Sequence, residues 1–132
     1  MVSQPARVYV DTSALAALLI DQPVSEALGA WLDATPAELV SSDLLETELR
    51  RVAVREGLHQ TDVTALLDGI SIAALDRAAF RSAGLLPTPH LRTLDALHVE
   101  AAIRLGVTAM LTYDHRLADA ARDVGLEVIA PQ

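Results

Sequence analysis

The sequence predicts an α/β domain built on a central parallel sheet flanked by α-helices. Short β-rich runs alternate along the chain with helical stretches, the order that produces parallel strands joined by crossover helices. The helical stretches repeat apolar residues at three- and four-residue spacing, so each has a face made for packing. Apolar residues make up 52% of the 132 residues, enough to supply a shared core. That length suits one compact domain, expected to span residues 1–132.

The elements follow in order. Val8-Tyr9-Val10 reads as the first strand and ends at Asp11. Thr12 and Ser13 offer N-cap chemistry for an apolar helix through Leu18-Leu19-Ile20. Asp21-Gln22-Pro23 is a break, after which Val24, Ala27, Leu28, Trp31 and Leu32 repeat at helical spacing up to Pro36. Glu38 to Ser42 reads as a strand leading to a cap. Leu44, Leu45, Leu49 and Val52 then mark a helix up to Gly57. Thr61–Leu67 reads as a helix, Ile70–Ala74 as a strand, and Asp76–Ala83 as a helix stopped by Gly84. Pro87-Thr88-Pro89 is a loop. Leu94–Leu105 is a strong helix with Gly106 as its C-cap. Ala109–Thr112 reads as a buried strand, Leu117, Ala118 and Ala121 as a helix closed by Gly125, and Leu126–Ile129 as the last strand.

Charge and composition exclude several chemistries. Asp plus Glu number 18 against 10 cations, for a net charge of −8. Every cation is arginine, and the absence of lysine argues against phosphoacceptor receivers, P-loop NTPases and Schiff-base enzymes. The absence of cysteine removes disulfides, thiolate metal sites and cysteine nucleophiles. No apolar run reaches the roughly 18 residues of a membrane helix. No secretory leader is recognised, so the expected location is cytoplasmic. So acidic a protein needs another source of positive charge to handle nucleic acid, and a carboxylate-bound divalent ion would provide it.

Four carboxylates stand out. Asp11 follows the first strand, at the carboxyl edge of the sheet where such folds place their sites; a plain helix N-cap is the alternative. Glu48 sits within the apolar stripe of its helix, three and four residues from Leu45, Leu44 and Val52, so it requires a cation or metal. A salt bridge to an arginine such as Arg92 is its alternative. Glu46, by contrast, faces Arg50 at i+4 as an ordinary surface pair. Asp95 lies in the first turn of its helix, turned away from the Glu100–Arg104 pair that is expected to mark the solvent face. Favourable interaction with the helix N-terminus is the bland account of Asp95. Asp114 follows the fourth strand and precedes a helix, with an N-cap again the alternative. Asp119 is expected to be solvated. Together Asp11, Glu48, Asp95 and Asp114 would repel one another unless a cation joined them, and hard oxygen donors at that density select Mg²⁺ or Mn²⁺. The four histidines are too scattered for zinc; His98 shares a face with Asp95, with packing its favoured role and a hydrogen bond near the site the alternative.

These segments resemble a known family. The runs "VYVDTSAL", Ser42 to Arg50 around Glu48, "LRTLDALH" and "LTYDHRLADAARDVGLEVIAP" look like the PIN domain, more closely VapC-type toxins of bacterial toxin–antitoxin pairs. The resemblance covers essentially the whole chain and implies a PIN-like fold. It places the family's acidic quartet on Asp11, Glu48, Asp95 and Asp114, with Asp11, Asp95 and Asp114 as metal ligands. Thr12 or Ser13 takes the family's small polar position, and Thr112 a polar position near the site. The implied activity is a Mg²⁺- or Mn²⁺-dependent endoribonuclease that leaves a 5′-phosphate and a 3′-hydroxyl. The implied partners are an RNA substrate, a cognate VapB-like antitoxin and a second copy in a homodimer, with no membrane. Arg92 and Arg116 are candidates for RNA phosphates, each with a structural ion pair as the alternative. The Val24–Leu32 stripe is expected to be mostly core, with a dimer or antitoxin surface as its other use. Glu100 departs from the family pattern, where a small or apolar residue is usual. The rival readings are a PIN nuclease of RNA processing and a catalytically idle binding module.

Overall fold

The computed structural model describes residues 6–132. Twelve elements alternate as expected. The strands are β1 (Arg7–Val10), β2 (Glu38–Ser42), β3 (Ser71–Ala73), β4 (Ala109–Leu111) and β5 (Glu127–Ile129). The helices are α1 (Thr12–Leu19), α2 (Ser25–Ala34), α3 (Asp43–Glu56), α4 (Gln60–Leu67), α5 (Arg77–Gly84), α6 (Thr93–Arg104) and α7 (His115–Asp123).

All strand pairs are parallel, in the order β3-β2-β1-β4-β5. The central strand β1 sets the layering through its two-residue period. Val8 and Val10 point to one face, where they meet Leu15, Leu28, Leu45, Leu49 and Val63 from α1 to α4. Tyr9 points to the other, where it meets Val99, Met110 and Leu117 on α6, β4 and α7. Every one of these side chains is buried. Leu28 is fully buried and Val24, Trp31 and Leu32 pack against the same cluster, so that stripe is core.

The strand order has a functional consequence. From β1 the chain builds outward to β2 and β3, then crosses back to add β4 and β5 on the other side. The direction of winding reverses between β1 and β4, and the crevice at the carboxyl ends of those two strands is where parallel α/β sheets bind ligands. Asp11 follows β1 and Asp114 is three residues past β4.

Four local expectations change. Helix α1 begins at Thr12 and is capped by Asp11, which accepts from the Ser13 amide, so Thr12 and Ser13 lie inside the helix. Helix α5 includes Gly84 and closes at Leu85, while Asp76 is its cap. Strand β4 ends at Leu111, leaving Thr112 to turn inward. Glu100 does pair with Arg104 at 3.0 Å, but it is buried, 8% exposed, so this pair does not mark a solvent face. Arg104 also reaches Ser82 on α5, and the ion pair sits in the seam between α5 and α6. The terminal glycines behave as expected: Gly57, Gly106 and Gly125 hold positive φ after α3, α6 and α7.

Candidate metal centre

Asp11 is buried, and its two carboxylate oxygens do different work. Oδ2 accepts from Ser13 N at 3.3 Å, Ser13 Oγ at 2.7 Å and Thr112 Oγ1 at 2.9 Å. Oδ1 takes none of these bonds and lies 3.8 Å from His98 Nε2. Capping and site chemistry are therefore compatible in one residue, because they use different oxygens.

Glu48 repeats the division. Its Oε1 accepts from Thr12 Oγ1 at 3.0 Å and from His98 Nε2 at 2.6 Å, leaving Oε2 outside these bonds. The pairing to Arg92 considered from sequence is not formed; Glu48 meets a histidine. Asp114 caps α7 through Oδ1, which accepts from Arg116 N and Leu117 N, and its other oxygen makes no protein contact of this kind. Thr112 ties the two strand ends together. Its hydroxyl donates to Asp11 and accepts from Asp114 N at 3.0 Å. Ser13 adds a second tie, accepting from Tyr113 N at 2.9 Å.

Asp95 is half-buried and feels the charge of its neighbours. Burial raises its carboxyl above the ordinary aspartate value, and the negative charges of Asp114 and Asp11 raise it further, against partial relief from His98 and Arg92. Asp11, Glu48 and His98 each bring a ligand-type atom within 4.8 Å of the others. Carboxylate oxygens predominate in that cluster, which suits a hard divalent cation, while Asp95 and Asp114 lie outside it. Asp119 is exposed, as expected, and pairs with Arg122 at 3.4 Å.

Sequence reasoning undervalued a hydrogen-bonded chain behind the acids. Tyr9, fully buried, holds Ser42 Oγ at 2.9 Å and His98 Nδ1 at 2.7 Å. His98, 2% exposed, continues to Glu48. A carboxylate can only accept, so His98 Nε2 donates to Glu48. Burial acts to lower the His98 pKa, but the Glu48 hydrogen bond and the charges of Asp11, Glu48 and Asp95 outweigh it and raise the pKa. Burial acts to raise Glu48, yet the same bond and charge hold it below the usual glutamate value. Burial pushes the Tyr9 hydroxyl up to about 12, so it stays neutral. Ser42 reads from sequence as a cap, but makes no side-chain cap to α3 and directs its hydroxyl to Tyr9. The available signal was Tyr9 itself, a hydroxyl facing inward from a buried strand, which needs a partner.

Carboxylates gathered around a buried Asp11, at the point where a parallel sheet reverses its winding, are the arrangement of a metal-handling α/β domain. The PIN domain model matches residues 8–123, and the chain belongs to that family. It is 40% identical to Ribonuclease VapC47 of Mycobacterium tuberculosis, over 94% of this chain and 96% of that protein. It is 37% identical to Ribonuclease VapC46 of the same species, over 96% and 98% of the two chains. Among solved structures the fold is similar to M. tuberculosis VapC20, a toxin that cleaves the sarcin–ricin loop, with a TM-score of 0.74 at 17% identity over 86% and 94% of the chains. It is also similar to a toxin–antitoxin complex from Klebsiella pneumoniae, with a TM-score of 0.73 at 17% identity over 95% and 98%. Among the described residues no helix is long and apolar enough to cross a membrane.

Proposed function

We propose that this chain is a Mg²⁺-dependent endoribonuclease, with Mn²⁺ as an alternative ion, and the toxin of a type II toxin–antitoxin pair. The observation that supports this most is the division of labour within the carboxylates. Asp11, Glu48 and Asp114 are each fixed through one oxygen and keep the other outside these hydrogen bonds. The ribonuclease names of relatives near 40% identity support the RNA substrate.

Asp11, Asp95 and Asp114 would hold the ion, which when bound would supply Lewis-acid polarisation of the phosphate and offset negative charge. Glu48, oriented by Thr12 and His98, positions the attacking water; the water's oxygen stays on the 5′-phosphate, and the departing 3′-oxygen takes a proton from solvent to give the 3′-hydroxyl. Thr12, Ser13 and Thr112 hold the acids rather than touch the substrate. Residues 1–132 act as one domain, as a homodimer, under a VapB-like antitoxin whose basic side chain enters the acidic crevice. Arg92 and Arg116 make no ion pair among the described residues and remain available to RNA phosphates.

Expression in a bacterial host tests the toxin role. Growth should stop, and co-expression of the antitoxin should restore it. New RNA ends should carry 5′-phosphates. Normal growth with abundant folded protein would contradict the toxin reading.

A further inference from the structure

Two clefts flank the acidic centre, and their charges differ. One opens beside Asp95 and carries Arg116 among Asp95, Asp119 and Asp123, so it is net acidic. The other, about 510 Å³, runs along α3 from Thr12 and Glu48 past Leu44 and Leu94 to Arg51 and Arg55. Its cations outnumber its carboxylates. In a chain of net charge −8, that local excess of positive charge calls for an explanation.

Among the described residues four of the ten arginines are tied to carboxylates, and of the six that are not, Arg51 and Arg55 are the two that line this cleft. Arg7, Arg50, Arg104 and Arg122 are bound to carboxylates at 2.9–3.4 Å. Arg51 and Arg55 have neither ion pair nor side-chain hydrogen bond among the described residues. The contrast with Arg50 is sharp, since that adjacent residue is held by Glu46, Gln60 and Thr64. Helix geometry fixes the rest. Arg51 is three residues after Glu48 and Arg55 is four further, so all three lie on one face of α3. At a rise of about 1.5 Å per residue, the guanidinium-bearing positions stand about 4.5 and 10.5 Å along the axis from the acid. Leu94 on α6, 49% exposed, faces the cleft from across, and Leu44 and Val52 on α3 add apolar surface along it.

We propose that Arg51 and Arg55 form a phosphate-binding subsite that holds the backbone of single-stranded RNA beside the scissile bond. This deepens the ribonuclease reading and rests on it. Arginine stays charged at any working pH and grips phosphate oxygens in a two-pronged geometry. Two such groups four residues apart on a helix meet neighbouring phosphates of a flexible strand. The strand then enters along α3, where its charge is matched. It avoids the Asp119–Asp123 side, where its charge would be opposed.

The test is the salt dependence of RNA binding. A short fluorescein-labelled single-stranded RNA of mixed sequence is titrated by anisotropy in Mg²⁺ across a potassium chloride series. Every protein carries Asp11→Asn to keep the probe intact, and gels verify that it is. Arg51→Gln/Arg55→Gln is compared with Arg77→Gln/Arg81→Gln on α5, which removes the same charge from arginines outside both clefts. Each lost phosphate contact with a single strand lowers the slope of log K against log salt by about 0.7, so the α3 pair should lose about 1.4 and the α5 pair nothing. The loss should be alike for RNAs of different sequence. An unchanged slope for the α3 variant, with its fold intact by circular dichroism, overturns the subsite and leaves those arginines to a protein partner. Equal losses in both variants also overturn it, since a general charge effect would suffice. Absence of RNA binding by the parent instead defeats the ribonuclease reading itself, and cleavage by it defeats the placing of the site at Asp11.

Discussion

His98 Nε2 donates to Glu48 Oε1 across 2.6 Å, and the two residues come from helices on opposite sides of the sheet. The bond reaches past the carboxyl end of β1, within 3.8 Å of Asp11. Through Tyr9 it continues to Ser42 at the end of β2. The orientation of Glu48 is thus tied to three elements beyond its own helix, which gives a rigid carboxylate where a surface glutamate would be free.

That tie has a measurable strength. Tyr9→Phe keeps the ring but strands His98 Nδ1 and Ser42 Oγ, both buried. A loss of about 1–3 kcal/mol in urea unfolding is expected, as for other buried polar groups left without a partner. Cleavage should fall less than in Glu48→Gln, because the carboxylate itself remains. Unaltered stability would mean that the chain of hydroxyls contributes nothing.

The same pair gives metal-free stability a pH dependence. Glu48 is held below its ordinary value of 4.5, so its contribution is present above that value and fades as pH falls through the lowered one. His98 is raised above 6.5, so its contribution is full below 6.5 and fades as pH rises through the raised value. Asp95, also raised, adds a penalty as it ionises. In EDTA, stability should therefore peak between about pH 4.5 and 6.5 and decline above. His98→Gln should flatten the decline. Denaturant melts across that range decide it.

Asp114 allows capping and charge to be separated. Asn caps helices about as well as Asp, so Asp114→Asn should change stability by only a few tenths of a kcal/mol and yet abolish cleavage. Asp114→Ala should lose cleavage and about 1 kcal/mol more. Full activity in the Asn variant would reduce Asp114 to a cap.

Repulsion within the crevice makes a further difference. Asp95→Asn removes a charge that Asp114 and Asp11 oppose, so its melting temperature in EDTA should equal or exceed that of the wild type. Saturating Mg²⁺ should then reverse the order. At a hundredfold excess over Kd, a bound ion stabilises by about 2.7 kcal/mol, and the variant should gain little of it. Loss of stability in EDTA would favour a structural role for Asp95.

Much of this was open to reading because it is local. Asp11 was recognisable as an acid directly past a buried strand, Asp114 as one between a buried strand and a helix, and Glu48 as an acid within an apolar stripe. The alternatives of cap and ligand could not be chosen between, since the choice lies in which oxygen points where. The Tyr9–His98–Glu48 chain was obscured because it joins residues 9, 42, 48 and 98, brought together only by the sheet order. Glu100 misled for a similar reason. Its i+4 partner Arg104 is an ordinary surface pattern, and only the packing of α5 against α6 buries it. The charge imbalance between the two clefts was likewise invisible in a chain whose average is strongly acidic.

The central claim is that one carboxylate centre, built around Asp11, cuts RNA with a divalent ion. The most direct measurement is RNA cleavage by purified protein in Mg²⁺ or Mn²⁺ against EDTA, beside Asp11→Asn prepared identically. Cleavage that requires the ion and disappears in the variant is the expected result. Cleavage that persists in EDTA, or equally in Asp11→Asn, would contradict the account.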